Sequence, residues 1–330
     1  MRILKPSVEL MKHDTDIYSF IERVGRTCYK SEDKIADGSA EKFVLGLAFS
    51  GHFSPMEHEY LYFKFSDYND VIHFLSNHLV PDSHSYGLTK YLNISEEYIS
   101  GSIRAWIEFF EEVNNIAKKF VIGKGIYKQM YYQLSEVYPE LFTNTEILSF
   151  DDEDNESVSI GEVKLISRKE FLNANAKDYV YYNLLPHTIK FVADRGFLAE
   201  ITRHRPASFA AESTRYCCYA NGKFNEEITV IEPCFWEKDS AHYLHWQKSC
   251  QEAEDTYIAM SKNNARAEEA RSILPNSLKT EVVVTATEAE WQHIINLRYH
   301  GTTGRPHPQM LEVMEMAYPI LVEESEGRIK

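Results

Sequence analysis

Short segments with strand-type patterns limit the folds that this chain can adopt. The segments 59–65 (EYLYFKF) and 187–196 (HTIKFVADRG) alternate apolar and polar residues, and 280–287 (TEVVVTAT) is rich in β-branched residues. A period of two residues places every second side chain on one face, so all three are predicted to be strands. A fourth strand, EITVIEP, is predicted to end at Pro233.

Elsewhere the apolar residues recur every three or four positions, which is typical of amphipathic helices. The first fifty residues are predicted to be helical, with two such helices, and Gly51 would end the second. Further helices are predicted at 236–263, 265–274, 288–301 and 307–324. Because helices and strands alternate irregularly, the predicted fold class is α/β (α+β), with one substantial mixed β-sheet flanked by helices.

The stretch 67–183 is predicted to be a large, mainly helical insertion between two strands of that sheet. It contains helical patterns such as GSIRAWIEFFEEV and YKQMYYQLSEVYPELF. Within it, 150–162 (FDDEDNESVSIGE) is acidic and poor in hydrophobic residues, so we expect a mobile loop there. Residues 1–330 would form a single domain that includes this insertion.

Charge and cysteine content exclude several classes of protein. A net charge of −15 disfavours broad nucleic-acid binding, which needs a basic surface. Without an 18-residue apolar run or a secretory signal, the sequence predicts no membrane contact and a cytoplasmic location. The five cysteines are odd in number and form no C-x-x-C pair, which disfavours a disulfide framework and a zinc site. No metal is therefore expected.

Positive charge is concentrated in 201–216 (ITRHRPASFAAESTRY), which indicates an anionic ligand. Consecutive helical side chains diverge, so Arg203, His204 and Arg205 would serve two ligands or one large ligand. A solvated face with surface ion pairs is the alternative. Arg215 would share a face with Ser213 if this segment is extended.

Two more arginines add to this indication. Arg298 follows mostly apolar residues, where its charge is costly unless it meets a carboxylate or a phosphate. Arg271 lies in EARSILP. Each arginine alone is typical of a structural ion pair, but several together favour phosphate recognition.

The segment GHFSPMEHEY contains two histidines, His52 and His58, whose spacing does not match a helical zinc site. The sequence also contains none of the common glycine-rich loops that bind nucleotides.

Several motifs resemble those of the flavin-dependent thymidylate synthases (ThyX). RHRPASFAAES fits the pattern Arg-His-Arg, seven residues, Ser. The likeness extends to STRYC, DRGFLAEIT, ERVGRTCYKSEDKI, SGHFSPMEH, LPNSLKTE and the segment from NLR to HPQ. These motifs occur in the family's order and span most of the chain outside the insertion.

The resemblance implies methylation of dUMP to dTMP. Methylenetetrahydrofolate would supply the carbon, and FAD reduced by NADPH would supply the hydride. It implies no cysteine nucleophile, and a ThyX-like homotetramer whose active sites are shared between subunits. Without it, an NADPH-oxidising flavoprotein that transfers no carbon and a non-catalytic nucleotide- or RNA-binding module remain open.

The resemblance also implies roles for individual residues. Those expected near the flavin are His52, Ser54, Arg203, His204, Arg205, Thr287 and His293. Those expected to bind dUMP are Glu200, Arg203, Ala211, Glu212, Ser213, Thr214, Arg215, Arg271 and Arg298. Arg298 would act catalytically by favouring ionisation of the uracil ring. The chain departs from the family where Ala210 and Ala211 replace a polar pair and Thr287 replaces an asparagine.

Overall fold

The computed structural model describes residues 1–76, 91–117, 125–142 and 161–330. Helices and strands are mixed throughout, which confirms the α/β class. The strands are β1 (Arg2–Leu4), β2 (Ser7–Leu10), β3 (Tyr60–Phe65), β4 (Leu92–Ser95), β5 (Tyr98–Ser102), β6 (Val163–Ile166), β7 (Pro186–Asp194), β8 (Ser208–Ala211), β9 (Thr229–Ile231) and β10 (Lys279–Thr287). The helices are α1 (Ile17–Tyr29), α2 (Ser39–Phe49), α3 (Tyr68–Ser76), α4 (Ile103–Ala117), α5 (Gly125–Val137), α6 (Pro139–Phe142), α7 (Arg168–Leu172), α8 (Asp178–Leu184), α9 (Arg195–Ile201), α10 (Ala241–Lys262), α11 (Ala267–Ala270), α12 (Glu288–Arg298) and α13 (Pro308–Glu324).

The chain divides into two compact units. The terminal unit comprises residues 1–40 and 187–330, and the central unit comprises residues 41–186. None of the helices in the described parts of the chain is long and apolar enough to cross a membrane.

A four-stranded sheet in the order β2-β7-β10-β8 forms the centre of the terminal unit. Strand β10 shows why both faces are covered, because its valines alternate between two cores. Val282 and Val284 pack with residues of α9, α12 and α13, whereas Val283 packs with Phe20 and Val24 of α1. Helices therefore flank this sheet on both faces. A separate parallel pair joins β1 to β9.

The central unit contains a second four-stranded sheet, in the order β4-β5-β3-β6, with antiparallel neighbours. Both of its faces are buried by aromatic side chains. Phe63 meets Trp106 of α4 edge-on at 5.0 Å, and Tyr62 on the opposite face stacks on Phe171 of α7 at 4.6 Å. Burial on both sides explains why β3 is almost continuously apolar.

Two predictions about the architecture are wrong. The segments 59–65 and 187–196 are strands, but they belong to two different sheets, so 67–183 is not inserted between strands of one sheet. The described parts of that stretch are mainly helical, as predicted, and they also form β4, β5 and β6, which are too short to show a clear period. The first ten residues form β1 and β2, not helix, because they pair with β9 and β7.

Three further predictions concern local segments. The helix predicted at 265–274 is reduced to α11 and one 3₁₀ turn, Arg271–Ile273, before Pro275. Most of the predicted mobile loop, 150–160, lies outside the described residues. The predicted end of α2 is confirmed, since Gly51 has a left-handed φ of +71°.

Candidate functional site

The arginine-rich segment follows directly from β7 and α9. Asp194 caps α9, because its Oδ1 accepts a hydrogen bond from the Phe197 N–H at 2.6 Å. Helix α9 ends at Ile201, and residues 203–205 follow it in a turn. Arg203 and Arg205 are exposed there, whereas His204 is only 5% exposed. The three side chains thus face different surroundings, as their consecutive positions predict.

Arg298, at the end of α12, is joined to Glu200 and His204. Its Nη1 lies 2.9 Å from Glu200 Oε2, and its Nη2 donates to the Glu200 carbonyl oxygen at 3.1 Å. Its Nε donates to His204 Nε2 at 3.1 Å. The anionic partner that Arg298 was expected to need is therefore Glu200, 98 residues earlier in the chain. Because the Arg298 side chain is 20% exposed, one side of this group remains open to a ligand.

The contact with Arg298 determines which nitrogen of His204 carries the proton. Since Nε2 accepts the arginine N–H, Nδ1 holds the hydrogen of the neutral ring. Nδ1 faces Glu290 Oε1 at 3.5 Å, and the His293 ring lies edge-on at 5.6 Å. Side chains of His204, Glu290 and His293 offer ligand atoms within 4.8 Å of one another, but a metal on Nδ1 would have to displace that proton. The geometry favours a hydrogen-bonded group here.

Glu290 is a residue that no sequence pattern singled out. It stands three residues after Thr287, whose side chain caps α12 by accepting from the Glu290 N–H at 3.5 Å. Helix α12 thus carries Glu290, the exposed His293 and Arg298 along its length. Thr287 has a structural role in this cap, and its predicted contact with a flavin stays a prediction.

The segment after β8 brings Thr214 next to Arg271. Arg271 Nη1 lies 3.4 Å from Thr214 Oγ1. Ser213 and Arg215 lie in a turn, in which the Arg215 N–H donates to Ser213 Oγ at 3.3 Å. The extended conformation that would have put both side chains on one face is therefore absent from this described segment. The Arg215 side chain is 57% exposed and lies 3.9 Å from Glu268.

The neighbouring Glu212 is buried and ion-paired. Its Oε2 accepts from Lys279 at 2.7 Å, and its Oε1 accepts from the Tyr219 hydroxyl at 3.0 Å. Ala210 and Ala211 belong to β8 and pair with β10. The roles of Glu212 and Ala211 in substrate binding stay predictions, and both carboxylate oxygens of Glu212 already have protein donors.

His52 and Ser54 belong to the central unit. The His52 N–H donates to the Leu47 carbonyl oxygen at 2.9 Å, where α2 ends, and Ser54 begins the 3₁₀ turn Ser54–His58. Both residues are exposed. Their joint role with His204 and Arg205 stays a prediction.

Comparisons with known proteins show which family the C-terminal part of the chain resembles. The family described as "Thymidylate synthase complementing protein" (Thy1) matches residues 174–324. A flavin-dependent thymidylate synthase of Pyrococcus abyssi is 33% identical over 124 residues, which is 38% of this chain and 48% of that protein. A probable flavin-dependent thymidylate synthase of Mycobacterium phage D29 is 29% identical over 163 residues, 46% of this chain and 66% of that protein. The chain spans about half the length of the first of these relatives.

A solved structure of ThyX from Helicobacter pylori, with FAD and dUMP, is 17% identical to this chain. It covers 44% of this chain and 71% of its own, with a TM-score of 0.35. The family match, residues 174–324, includes the arginine-rich segment, Arg271 and α12. Through this region the chain resembles the flavin-dependent thymidylate synthases (ThyX).

Proposed function

We propose that this protein is an enzyme that methylates dUMP to dTMP, with methylenetetrahydrofolate as carbon donor and FAD reduced by NADPH as hydride source. The observation that carries this proposal is the group formed by Glu200, His204 and Arg298 inside the region that matches the family. The group places a fixed positive charge beside two exposed arginines, which suits an anionic nucleotide. It also suits a pyrimidine that gains negative charge during the reaction.

The residues around His204 fit a flavin nucleotide. Arg203 and Arg205 are exposed, and neither guanidinium group has an ion pair or hydrogen bond among the described residues, although the Arg203 backbone N–H donates to the Glu200 carbonyl oxygen. Because neither guanidinium group is paired with a described carboxylate, both can bind the phosphates of FAD. His204 is held from one side by Arg298, so its ring has one orientation before any ligand arrives. When bound, FAD would supply hydride transfer, and these side chains would bind and orient it.

The remaining arginines fit the nucleotide substrate. Arg298 would lie against the uracil ring and stabilise negative charge on it, while Glu200 keeps its guanidinium in place. The exposed Arg215, together with Ser213, would bind the phosphate of dUMP held by a neighbouring subunit. Arg271 would contribute from beside Thr214. This sharing of residues requires an oligomer, and we propose the homotetramer that the family resemblance implies.

The proposal also covers the organisation of the chain. Residues 1–330 would act as one catalytic domain, with 67–183 as its variable part. The central unit holds His52 and Ser54, for which we propose contacts with the flavin. Deleting most of 67–183 would remove β4, β5 and β6 from their sheet, so this stretch is also required for the central unit to fold.

The test is formation of dTMP by the purified protein, with FAD, NADPH and methylenetetrahydrofolate each left out in turn. We expect a yellow protein whose dTMP formation needs all three. The variant His204→Ala should retain less flavin, because its ring and its link to Arg298 are lost. His245→Ala, an exposed histidine on α10, is the control and should retain flavin like the parent.

Three results would count against parts of this proposal. NADPH oxidation without dTMP would identify a reductase that transfers no carbon. A colourless protein that binds dUMP would identify a nucleotide-binding module. Unchanged flavin occupancy in His204→Ala would remove His204 from the flavin site.

We expect the five cysteines to be dispensable for this reaction. The thiolate is the nucleophilic form of cysteine, and burial disfavours it at Cys28, Cys217 and Cys250, whose pKa values are all raised. Burial raises the pKa of Cys28 to about 12, and raises those of Cys217 and Cys234 to about 11. A variant with every cysteine replaced by Ser or Ala should form dTMP at a rate close to the parent's. Loss of turnover with intact binding of FAD and dUMP would contradict the mechanism.

A further inference from the structure

A cleft of about 500 Å³ lies within the terminal unit. It is lined by α9, the segment after β9, α10, the residues before β10 and the start of α13. Its walls include the aromatic side chains of Phe235, Trp236 and Trp246. Glu200 borders it, so the cleft adjoins the group around Arg298. Its size and aromatic walls suit a small planar ligand.

The charge of the cleft excludes a phosphate group. The described residues that line the cleft include Asp194 and Glu200, and none of them is a lysine or an arginine. The N-terminus of α9 cannot take an anion either, because the Asp194 carboxylate already accepts its Phe197 N–H. A ligand here must therefore present hydrogen-bond donors to a carboxylate. The cleft thus differs from the arginine-rich surfaces that would bind the phosphates of dUMP and FAD.

Two buried polar side chains define which donors and acceptors a ligand needs. Asp194 is 6% exposed, and burial raises the pKa of its carboxyl group, although the Phe197 N–H and the nearby His307 and Gln309 lower it. Gln309 is 9% exposed; its side chain interacts with the Asp194 carboxyl group, but its Nε2 makes no hydrogen bond of good geometry with any described residue. A buried donor without a good partner is costly. A carbonyl oxygen of a ligand next to Asp194 would satisfy it.

We propose that this cleft binds a 2-aminopyrimidin-4-one ring. The amino group and ring N–H of such a ring lie side by side and would donate to the Asp194 carboxylate. Its adjacent carbonyl oxygen would accept from Gln309 Nε2, and its plane would lie against the aromatic wall. Uracil does not fit this edge, because a carbonyl flanks its N–H on each side and would face the carboxylate.

The ring has two common sources, the pterin of a folate and the guanine of a nucleoside. The folate source rests on the proposed function, in which a folate donates the carbon. Under that function the cleft would hold the pterin of the carbon donor beside Glu200. The guanine source would make the cleft a separate nucleoside site.

The test is isothermal titration of the purified protein with 5-formyltetrahydrofolate, guanosine and uridine. We expect one of the first two to bind and uridine not to bind. Asp194→Asn should weaken that binding on the order of 10- to 100-fold, the usual effect of losing hydrogen bonds to a charged group. The α9 cap should survive, since asparagine caps as well as aspartate. Gln309→Leu should weaken binding about 5-fold, with little effect on folding, because Nε2 has no good partner to lose.

Asp16→Asn is the matched control, because Asp16 caps α1 in the same way and lies outside the cleft. It should leave binding unchanged. The ligand that binds more tightly identifies the source of the ring. The proposal is overturned if neither ligand binds, or if binding is the same in Asp194→Asn and Gln309→Leu as in the parent. Failure of the proposed function would be a separate result: no dTMP would form, while the variants would still weaken ligand binding.

Discussion

Arg298→Ala should lower single-turnover formation of dTMP on the order of 100-fold, with a much smaller change in the dissociation constant of dUMP. Loss of one well-placed donor to a developing anion typically has an effect of that size. The rate should fall more than the affinity for dUMP because the arginine would bind the charged transition state better than the neutral uracil ring. The measurements are rapid-quench turnover and equilibrium titration of dUMP on the flavin-loaded protein.

Two variants separate this role from a structural one. Arg298→Lys keeps the charge but cannot contact both Glu200 and His204 with a planar group, so it should recover only part of the rate. Arg215→Ala should show the opposite split, with weaker dUMP binding as the main effect. If Arg298→Ala binds and turns over dUMP like the parent, Arg298 is only the ion-pair partner of Glu200.

Arg328→Ala should lower the free energy of unfolding of the terminal unit by about 3–5 kcal/mol, the usual effect of leaving one partner of a buried ion pair alone. Arg328 contacts both oxygens of Glu288, at 2.8 and 2.9 Å, and Glu288 is fully buried. His187 Nε2 lies 2.9 Å from the same carboxylate. Without the arginine, the buried Glu288 carboxylate would lose both of its contacts with Arg328 and keep the one with His187. Urea unfolding followed by tryptophan fluorescence measures the effect.

The control is Arg266→Ala, because Arg266 also contacts a glutamate, Glu269, but with a side chain that is 70% exposed. Exposed pairs are screened by water, so its urea midpoint should hardly move. The double variant Arg328→Met, Glu288→Met should be more stable than Arg328→Ala, since no buried charge is left alone. Equal midpoints for Arg328→Ala and Arg266→Ala would show that the buried pair does not hold the C-terminal residues in place.

The sequence by itself determined the mixed class of the fold and most of the long elements. β10 and α13 show their type locally, because the valine run and the helical period are long enough to be read without neighbours. The resemblance carried by RHRPASFAAES and the other motifs pointed to the same family as the comparisons. It also selected Arg298 and His204, which the structure brings together.

The tertiary structure decided what depends on distant partners. Strands β2 and β8 have only four residues each, so their pairing with β7 and β10 defines them and no local period does. The pairing of strands also places β3 and β7 in separate sheets, which no local pattern in either strand shows. Glu290 next to His204 and Gln309 near Asp194 come from elements far apart in the chain. Sequence patterns report which side chains share a face of one element, whereas a site is formed by faces of several elements that meet only when the chain folds.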